Sequence, residues 1–373
     1  MPDTLTLKQL NRATLARQLL LARERLAPAD AVERLGGLQA QEPKPAFTAL
    51  WTRLEGFERA QLHAALAQRS VVRGTMMRAT LHMTSAADYA ALRPSLQPML
   101  TGAMQGILRQ RGDVDVERVL PAARELLAER PRTFNDLRAE LSERYPEYER
   151  RALGYAVRMQ LPLLMVPSED RWSFPSDACF TLADRWIEEP LDGDDPAALV
   201  RRHLAAFGPA SPADIQAWSG LKGLKHAVDG MADELVAFTQ TTSSSGTGKH
   251  GRRTLYDLPD APRPDEDTPA PPRLLPEFDS LLLAHQDRTR VIEDDRRKAL
   301  ATKNLRVQAT FLVDGFVAGS WAIEGKRGTA TLTLSAFEPL ARAVKEELAA
   351  EAEALLRFLD DGAATPRVAF AQR

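Results

Sequence analysis

The sequence has little of what builds disulfides, metal centres or membrane spans. Its 373 residues contain a single cysteine, Cys179, so no disulfide can form within the chain, and we expect a reducing, cytoplasmic setting. The six histidines lack the spacing of metal ligands, and we expect neither a metal nor a cofactor. No apolar run approaches the ~20 residues that cross a bilayer, so no membrane partner is expected. The start of the chain, 1–4, does not have the pattern of a signal peptide.

The sequence also lacks an excess of charge of either sign. Lysine and arginine total 49 against 51 acidic residues, which gives a net charge of -2. This balance excludes a uniformly basic coat for nucleic acid, but it allows a local basic cleft because charges of opposite sign can segregate on a surface. Arginine outnumbers lysine, and its planar guanidinium suits phosphate contacts. The apolar share of 44% and the length predict a globular protein of two or three domains.

One short stretch, 36–45, interrupts a helical pattern and carries two amides. Two glycines end the amphipathic run 29–35, and two prolines follow, so the stretch favours extended backbone. In extended backbone, Gln39 and Gln41 point to the same side, because they are one residue apart. Each amide offers one acceptor oxygen and two donor hydrogens, so the pair could hold and orient one water molecule. The alternative is a polar turn after a helix.

Short helices followed by a small hairpin occur three times along the chain. The predicted helices share apolar residues at helical spacing and span 9–26, 29–35, 45–54, 58–69, 116–129, 134–144, 149–160, 197–207, 213–219 and 221–231. The predicted hairpin strands share β-forming residues and lie within 71–83, at 162–167 and 171–174, and at 235–238 and 254–258. Helices closed by a hairpin are typical of winged-helix units. We therefore predict a first unit at 1–110, a second at 111–190 and a third at 191–258.

The C-terminal part has a different texture. A proline-rich segment, 259–272, predicts an extended linker. The strands predicted beyond it lie at 281–284, 288–292, 307–313, 316–322 and 329–334. We interpret 273–373 as a small antiparallel β-barrel with a closing amphipathic helix at 339–359. The predicted fold class is α+β: three tandem winged-helix units, then the barrel and the C-terminal helix.

The pattern alone leaves three classes of function open. Tandem winged helices are mostly nucleic-acid binders, which place a helix in a groove and a wing on the backbone. A transcription regulator of this kind usually needs a dimer and a palindromic site, and the sequence has no long heptad run for dimerisation. A protein-interaction scaffold would be favoured by an acidic surface without a basic cleft. An enzyme would need the amide pair or another reactive group.

Six stretches, taken together, resemble one family over nearly the whole chain. They are 10–21, 37–41, 77–82, 206–210 with 216–221, 275–285 and 311–321. In this order they are similar to the AlkZ/YcaQ-like bacterial winged-helix DNA glycosylases. The resemblance implies three winged-helix units and a β-barrel arranged as a C around duplex DNA. It also implies a catalytic pair, Gln-apolar-Gln in the AlkZ branch and Gln-apolar-Asp in the YcaQ branch, and Gln39-Ala40-Gln41 fits the AlkZ branch.

The chemistry of such a pair suits alkylated purines. A purine alkylated at N7 or N3 is cationic and leaves as a neutral base, so no strong general acid is needed. The transition state resembles an oxocarbenium ion, and a water oriented by two amides can then suffice. We expect a monofunctional, monomeric DNA glycosylase for N7-alkylguanine, N3-alkyladenine and bulkier adducts or cross-links in duplex DNA. Glu42 is an alternative base, although it points to the other side of extended backbone.

Seven further side chains are candidates for DNA contact. They are Arg12, Lys44, Arg78, His82, His285, Arg288 and Arg290. Arg78 and His82 belong to the first predicted hairpin, and the last three belong to the first predicted barrel hairpin, which the resemblance places near the minor groove. The alternatives are histidines bonded to backbone and arginines on a solvated face. The loop 239–253 is either a phosphate-contacting wing or a solvated tip.

Overall fold

A computed structural model describes residues 3–191, 193–243, 250–300, 307–326, 329–359 and 365–371. Within these residues the α-helices are α1 Leu7–Arg17, α2 Pro28–Arg34, α3 Pro43–Arg53, α4 Arg59–Ala67, α5 Ala86–Leu92, α6 Gln97–Arg111, α7 Val116–Glu129, α8 Phe134–Arg144, α9 Arg150–Gln160, α10 Pro196–Phe207, α11 Pro212–Ser219, α12 Leu224–Gly230, α13 Asp294–Leu300 and α14 Arg342–Leu359. The strands are β1 Thr4–Leu5, β2 Leu38–Gln39, β3 Val71–Thr75, β4 Leu81–Ser85, β5 Leu163–Met165, β6 Phe180–Leu182, β7 Val236–Ser243, β8 His250–Asp257, β9 Arg273–Leu275, β10 Thr310–Val313, β11 Phe316–Lys326, β12 Thr329–Ala336 and β13 Thr365–Phe370.

Most predicted helices are confirmed, and their ends follow the expected capping chemistry. Helices α7 and α8 begin and end at the predicted residues. The hydroxyl of Thr133 accepts a hydrogen bond from the backbone N–H of Asp136 at 3.1 Å and caps α8. Ser211 and Asp214 form a reciprocal capping box at the start of α11. Gly220 ends α11 with a φ of 79°, a left-handed conformation that glycine adopts without strain.

The first predicted helix, 9–26, extends further than the helix in the structure. Helix α1 ends at Arg17, and Leu19 has a φ of 55°. Leu19 and Leu20 continue the apolar spacing of the helix, but the chain turns so that they enter different hydrophobic clusters. The spacing therefore predicted their burial correctly and their backbone wrongly.

A single five-stranded sheet joins the first and second predicted units. Its strand order is β2-β4-β3-β5-β6, and β3 meets β5 where Gly74 lies opposite Leu164. A Cβ at Gly74 would lie 2.7 Å from Cε2 of Tyr89 and 2.9 Å from the carbonyl oxygen of Leu163, so only glycine fits this approach. The two hairpins are thus edge-paired through backbone, and one continuous sheet lies under both groups of helices.

The second hairpin corrects one predicted strand. The partner of β5 is β6, at Phe180–Leu182, whereas the predicted strand 171–174 is a turn. In this turn the N–H of Ser173 donates to the carbonyl of Asp170 at 2.7 Å, and Ser173 has a φ of 65°. The aromatic residues that suggested a strand, Trp172 and Phe174, instead pack beside the first unit.

The third predicted unit carries a small three-stranded sheet, and its third strand, β1, comes from the N-terminal end of the chain. Strands β7 and β8 form the predicted wing hairpin, and β1 pairs with β7 in parallel. The wing tip, 244–249, and the side chains of 241–251 lie outside the described residues. The predicted phosphate contacts of this tip therefore stay a prediction.

The C-terminal sheet differs from the predicted antiparallel barrel. Its order is β13-β12-β11-β10-β9, and its last pair, β12 and β13, is parallel. The segments predicted as strands at 281–284 and 288–292 are a 3-10 helix at Ser280–Leu282 and turns. Their apolar side chains pack in a cluster with Leu15 and Leu20, so burial without strand pairing explains their composition. Helix α14 packs Leu348, Leu355 and other apolar residues on this sheet, as predicted. None of the described helices is long and apolar enough to span a membrane.

Buried ion pairs connect the N-terminal helices to distant parts of the chain. Arg17 of α1 forms a bidentate pair with Asp257 at 2.8 Å, and Arg53 of α3 forms one with Asp279 at 2.8 and 2.9 Å. All four side chains are at most 1% exposed. A buried charge of this kind is tolerated only while its partner stays in place, so each pair fixes the register of two segments.

We expect Asp279→Asn to lower the free energy of unfolding by about 3–5 kcal/mol, because Arg53 would remain buried without its counter-charge. Glu55→Gln is the matched control, since it breaks a pair with Arg25 whose side chains are 55% and 80% exposed. This control should leave the stability unchanged. Urea titration followed by circular dichroism measures both variants. Equal stability of Asp279→Asn and Glu55→Gln would contradict the assignment.

Candidate functional site

The two amides of the candidate catalytic pair lie at the edge of the shared sheet, Gln39 in β2 and Gln41 in the bend that follows it. Gln39 is opposite His82 in the β2–β4 ladder, and the N–H of Ala40 donates to the carbonyl of Leu81 at 2.8 Å. Ala40 is fully buried, whereas Gln39 is half-buried and Gln41 is exposed. The predicted extended backbone is therefore confirmed at Gln39, which belongs to β2, whereas the chain bends at Gln41; Ala40 between the two amides is buried.

Each amide oxygen of the pair has a donor. A guanidinium N–H of Arg78 donates to Oε1 of Gln39 at 2.8 Å, and the N–H of Leu81 donates to Oε1 of Gln41 at 3.3 Å. A carbonyl oxygen has two lone pairs, so each oxygen can still accept from a water. Within the described residues, neither side-chain NH₂ group has a hydrogen-bond partner. Both amides therefore retain groups that can hold a water.

The guanidinium of Arg78 is bonded within the protein. Its backbone has a φ of 55°, and its guanidinium also donates to the carbonyl of Trp218. Burial lowers the pKa of Arg78 to about 10, and the nearby charge of Arg288 adds to this effect. The prediction of DNA contact for Arg78 is not supported by this geometry. The side chain instead orients Gln39 and ties the first hairpin to α11.

The ring of His82 lies next to the guanidinium of Arg78 and helps to hold it in place. It is 1% exposed, and Nδ1 lies 3.1 Å from the carbonyl of Thr80. Because a carbonyl only accepts, Nδ1 carries the proton, and Nε2 is the acceptor that faces Arg78 at 3.4 Å. Burial lowers the pKa of His82 to about 3, and the charge of Arg78 contributes. The ring is therefore neutral and bonded to backbone, which is the alternative to the predicted DNA contact.

The backbone of the pair is held by Arg73, which the sequence analysis did not identify. Nε of Arg73 donates to the carbonyl of Ala40 at 2.9 Å, and Nη2 donates to the carbonyl of Gln41 at 3.0 Å. The guanidinium stacks on Phe174, 4.8 Å from the ring centre, and burial lowers its pKa to about 10. A charged residue in the middle of an otherwise apolar strand is the one signal that the sequence offered.

A cavity of about 610 Å³ opens beside Gln41. It lies between the first and second predicted units, and its aromatic and basic lining comprises Phe134, Trp172, Phe174, Phe180, Lys44, Arg73, Arg138 and Arg158. Burial, followed by the charge of Arg171, lowers the pKa of Lys44. Glu42 also lines the cavity, so its carboxylate is near the pair. This cavity is the concave feature next to the candidate catalytic residues.

Besides His82, three more of the seven candidate DNA contacts are buried and bonded within the protein, which corrects their prediction. Arg12 pairs with Asp314 and donates to the carbonyl of Thr268 at 2.7 Å. His285 bonds the carbonyl of Phe207 at 3.1 Å, and Arg290 donates to the carbonyl of Pro209 at 2.8 Å. Side chains that are 1–2% exposed cannot reach a phosphate. Only Lys44 and the half-buried Arg288 keep surface exposure among the seven, apart from Arg78.

Among the described residues, no group of three or more His, Cys, Asp and Glu side chains is placed to hold a metal ion. The site offers two neutral amides fixed by two arginines, next to a cavity lined by aromatic, basic and acidic side chains. Such a set can orient a water and hold an anion, but it provides no strong base at the amides themselves.

Comparisons with known proteins agree with the resemblance. A family model described as "DNA glycosylase AlkZ-like" matches residues 32–358. Among solved structures, the DNA glycosylase AlkZ of Streptomyces sahachiroi has a similar fold, with a TM-score of 0.77 and 19% sequence identity over 99% of this chain and 100% of that one. At this identity the likeness shows the fold alone. No curated protein sequence matches the chain significantly.

We expect the imidazole of His82 to remain neutral from pH 8 down to pH 5, because its pKa in the folded protein is about 3 against 6.5 for the free side chain. The unfolded chain binds a proton below pH 6.5 that the folded chain does not, so stability falls as the pH is lowered. Between pH 6.5 and pH 5 the loss from this ring is about 2 kcal/mol. The pH dependence of the ring nitrogen chemical shifts, assigned by comparison with His82→Gln, measures the pKa of His82. A titration midpoint near pH 6.5 would contradict the buried, neutral ring.

Proposed function

Because the chain belongs to the AlkZ-like DNA glycosylase family, we propose that it hydrolyses the N-glycosidic bond of cationic or bulky alkylated purines in duplex DNA. The substrates of this proposal are N7-alkylguanine, N3-alkyladenine and related cross-links or adducts, and the context is base excision repair. The observation that carries it is the placement of Gln39 and Gln41 on either side of a buried Ala40, with Gln41 at the mouth of the 610 Å³ cavity.

In the proposed reaction, Gln39 and Gln41 orient a water beside the anomeric carbon. The alkylated base already carries positive charge, so the bond to the sugar breaks as the base leaves neutral. Positive charge then develops on the sugar, and the oriented water adds to it and gives its proton to solvent. Arg73 and Arg78 contribute by fixing the backbone and the side chain of the pair, which keeps the water in place without reorganisation.

The same residues account for selectivity in this proposal. An amide is a poor base, so the pair accelerates only reactions whose leaving group is already activated. An undamaged purine is neutral and would leave too slowly. Gln41→Asp would supply a true base at the same position, and we expect it to retain activity and to accept a wider range of lesions.

The proposal includes the mode of DNA binding. A monomer with three winged-helix units and a C-terminal sheet, arranged as a C, would enclose the duplex. Lys44 and Arg288 are the remaining candidates for phosphate contact, because they retain exposure near the cavity and the C-terminal sheet. Their contribution is electrostatic and independent of sequence, and we expect affinity to fall steeply with salt.

We expect Gln39→Ala and Gln41→Ala each to slow excision of N7-methylguanine by two to three powers of ten, or about 3–4 kcal/mol, as when one preorganised hydrogen-bonding group is lost. The double variant should be little slower than the slower single variant, since both residues act on one water. Affinity for alkylated duplex should hardly change, because phosphate contacts determine most of it. Single-turnover base release and fluorescence anisotropy measure the two effects.

Gln105→Ala is the control for this series, because Gln105 is an exposed amide of α6 outside the cavity. It should excise at the parent rate. Parent rates in both Gln39→Ala and Gln41→Ala would show that the pair is a polar turn, and the regulator would then be the better hypothesis.

We also expect base release without strand cleavage. A lyase forms an imine between a lysine and the abasic sugar, and Lys44 is the lysine nearest the pair. Its lowered pKa makes it the amine to test. Borohydride treatment during turnover should trap no covalent adduct with the parent, and cleavage should appear only after alkaline treatment. An adduct that Lys44→Gln loses and the exposed-site control Lys225→Gln keeps would overturn this expectation.

A further inference from the structure

A second cavity, of about 350 Å³, adjoins the one beside Gln41. Phe134, Arg138 and Arg158 line both cavities, so the two are direct neighbours. The rest of the second lining comes from the end of α6 and from α9, with Arg111, Arg151 and Tyr155. We call Arg111, Arg138, Arg151 and Arg158 the arginine cluster. It belongs to the second predicted unit, where the sequence analysis placed no functional residue.

The arginine cluster is unlike the buried arginines of the first unit. Arg12, Arg17 and Arg53 are each paired with an aspartate. No carboxylate in the described ranges lies within salt-bridge distance of the four clustered guanidinium groups, and no acidic residue lines the second cavity. Four like charges that converge with no carboxylate in direct contact repel one another, and an anion bound among them would relieve this repulsion.

Two members of the cluster are held in place by neutral groups. Nε of Arg158 donates to the hydroxyl of Thr75 at 3.2 Å, and Nε of Arg138 donates to the carbonyl of Phe134 at 3.0 Å. Burial lowers the pKa of Arg158, so its charge is held at a cost in free energy that no carboxylate of the described chain offsets. These bonds orient the guanidinium groups and leave further N–H donors for a ligand.

Glu149, which interacts electrostatically with the cluster, already has hydrogen-bond donors of its own. Glu149 caps α9, and its carboxylate accepts from the N–H of Ala152 at 2.8 Å. Its pKa is lowered first by a hydrogen bond from the backbone of Arg151, and the charges of Arg111 and Arg151 add to this effect. The charges of the cluster therefore affect the pKa of Glu149, but Glu149 does not line the cavity.

A helical glycine makes room for the cluster. A Cβ at Gly154 would lie 2.6 Å from Cδ and 2.9 Å from Cγ of Arg138. Glycine inside a helix costs about 1 kcal/mol relative to alanine. Here it lets the stem of Arg138 lie against α9, which brings its guanidinium beside that of Arg158 at the junction of the two cavities.

We propose that the arginine cluster binds phosphate groups of the DNA backbone beside the lesion. The proposal rests on the proposed function, because two members of the cluster, Arg138 and Arg158, also line the cavity beside Gln41. A planar guanidinium matches the geometry of phosphate oxygens in two-point hydrogen bonds. Phe134 and Tyr155 provide flat apolar walls on which the sugar can pack between two phosphates. The cluster thus fixes the strand so that the damaged nucleotide reaches the amide pair.

The test uses the double variant Arg111→Gln/Arg151→Gln, since both side chains are exposed and their replacement leaves the core intact. The control is Arg109→Gln/Arg342→Gln, which removes the same charge from exposed positions outside the cavity, one of them on α6 as well. The affinity for duplex with one N7-methylguanine is measured by anisotropy over a range of salt concentrations. Each lost phosphate contact lowers the slope of log affinity against log salt by about 0.9, so we expect a change of about 2 in the test variant.

A neutral methylphosphonate is then placed at each linkage around the lesion in turn. At a contacted linkage, the neutral group and the double variant should weaken binding non-additively. Inorganic phosphate is the second arm: a site built for the backbone should be occupied by millimolar phosphate only weakly and should release it to duplex.

The outcomes separate this proposal from the proposed function. A test variant whose salt slope equals that of the control overturns the phosphate site, even if the parent excises the base. Additive effects at every linkage, or inorganic phosphate that binds the cluster and resists displacement by duplex, overturn it as well. Failure of the parent to release any alkylated base overturns the proposed function, whatever the salt slope.

Discussion

The position of the amide pair depends on a buried charge that must stay paired. Arg53, at the end of α3, is held by both oxygens of Asp279, and its Nε donates to the carbonyl of Gln18. Helix α3 begins two residues after Gln41, so the helix that anchors the pair is fixed to a segment more than two hundred residues away. The desolvation cost of the two charges makes any other position of α3 unfavourable, because a displaced partner would leave a bare charge in the interior. The pair is thus built on the rigid part of the molecule.

Arginine serves three different purposes in this chain, and burial and partner distinguish them. Where a carboxylate is opposite, as for Arg17, the side chain joins segments that are distant in sequence. Where the acceptors are amide or backbone oxygens, as for Arg73 and Arg78, it orients the stretch that carries the pair. Where the described residues provide no anion, as for Arg158, the charge is available to a ligand. A net charge of -2 is compatible with DNA binding because charges of opposite sign can segregate on the surface.

Local patterns predicted the local structure well. Glycines and prolines around Gln39 and Gln41 specified extended backbone, and capping residues such as Thr133 specified where helices begin. The pairing of strands that lie far apart in the sequence could not be predicted from the sequence. Strand β1 pairs in parallel with β7, and strand β13 pairs in parallel with β12. Strand β1 is too short, and β13 has too little of a strand pattern, to be identified from its own sequence. The burial of Arg12, His285 and Arg290 was missed for a related reason: their partners are set by tertiary contacts, and charge suggested surface.

The sheet shared by β3 and β5 has a consequence for how the molecule can come apart. The predicted boundary at 110 separates two groups of helices, yet backbone hydrogen bonds cross it, and Gly74 admits no side chain at the crossing. Cutting the chain there would bare a strand edge on each fragment, and bare edges invite pairing with other chains. A piece that could fold and melt cooperatively must therefore contain the first helices and β6 together, and it must also keep Asp257 and Asp279 opposite Arg17 and Arg53. Either half, if transferred alone to another protein during evolution, would be prone to aggregate whether or not it kept its catalytic residues.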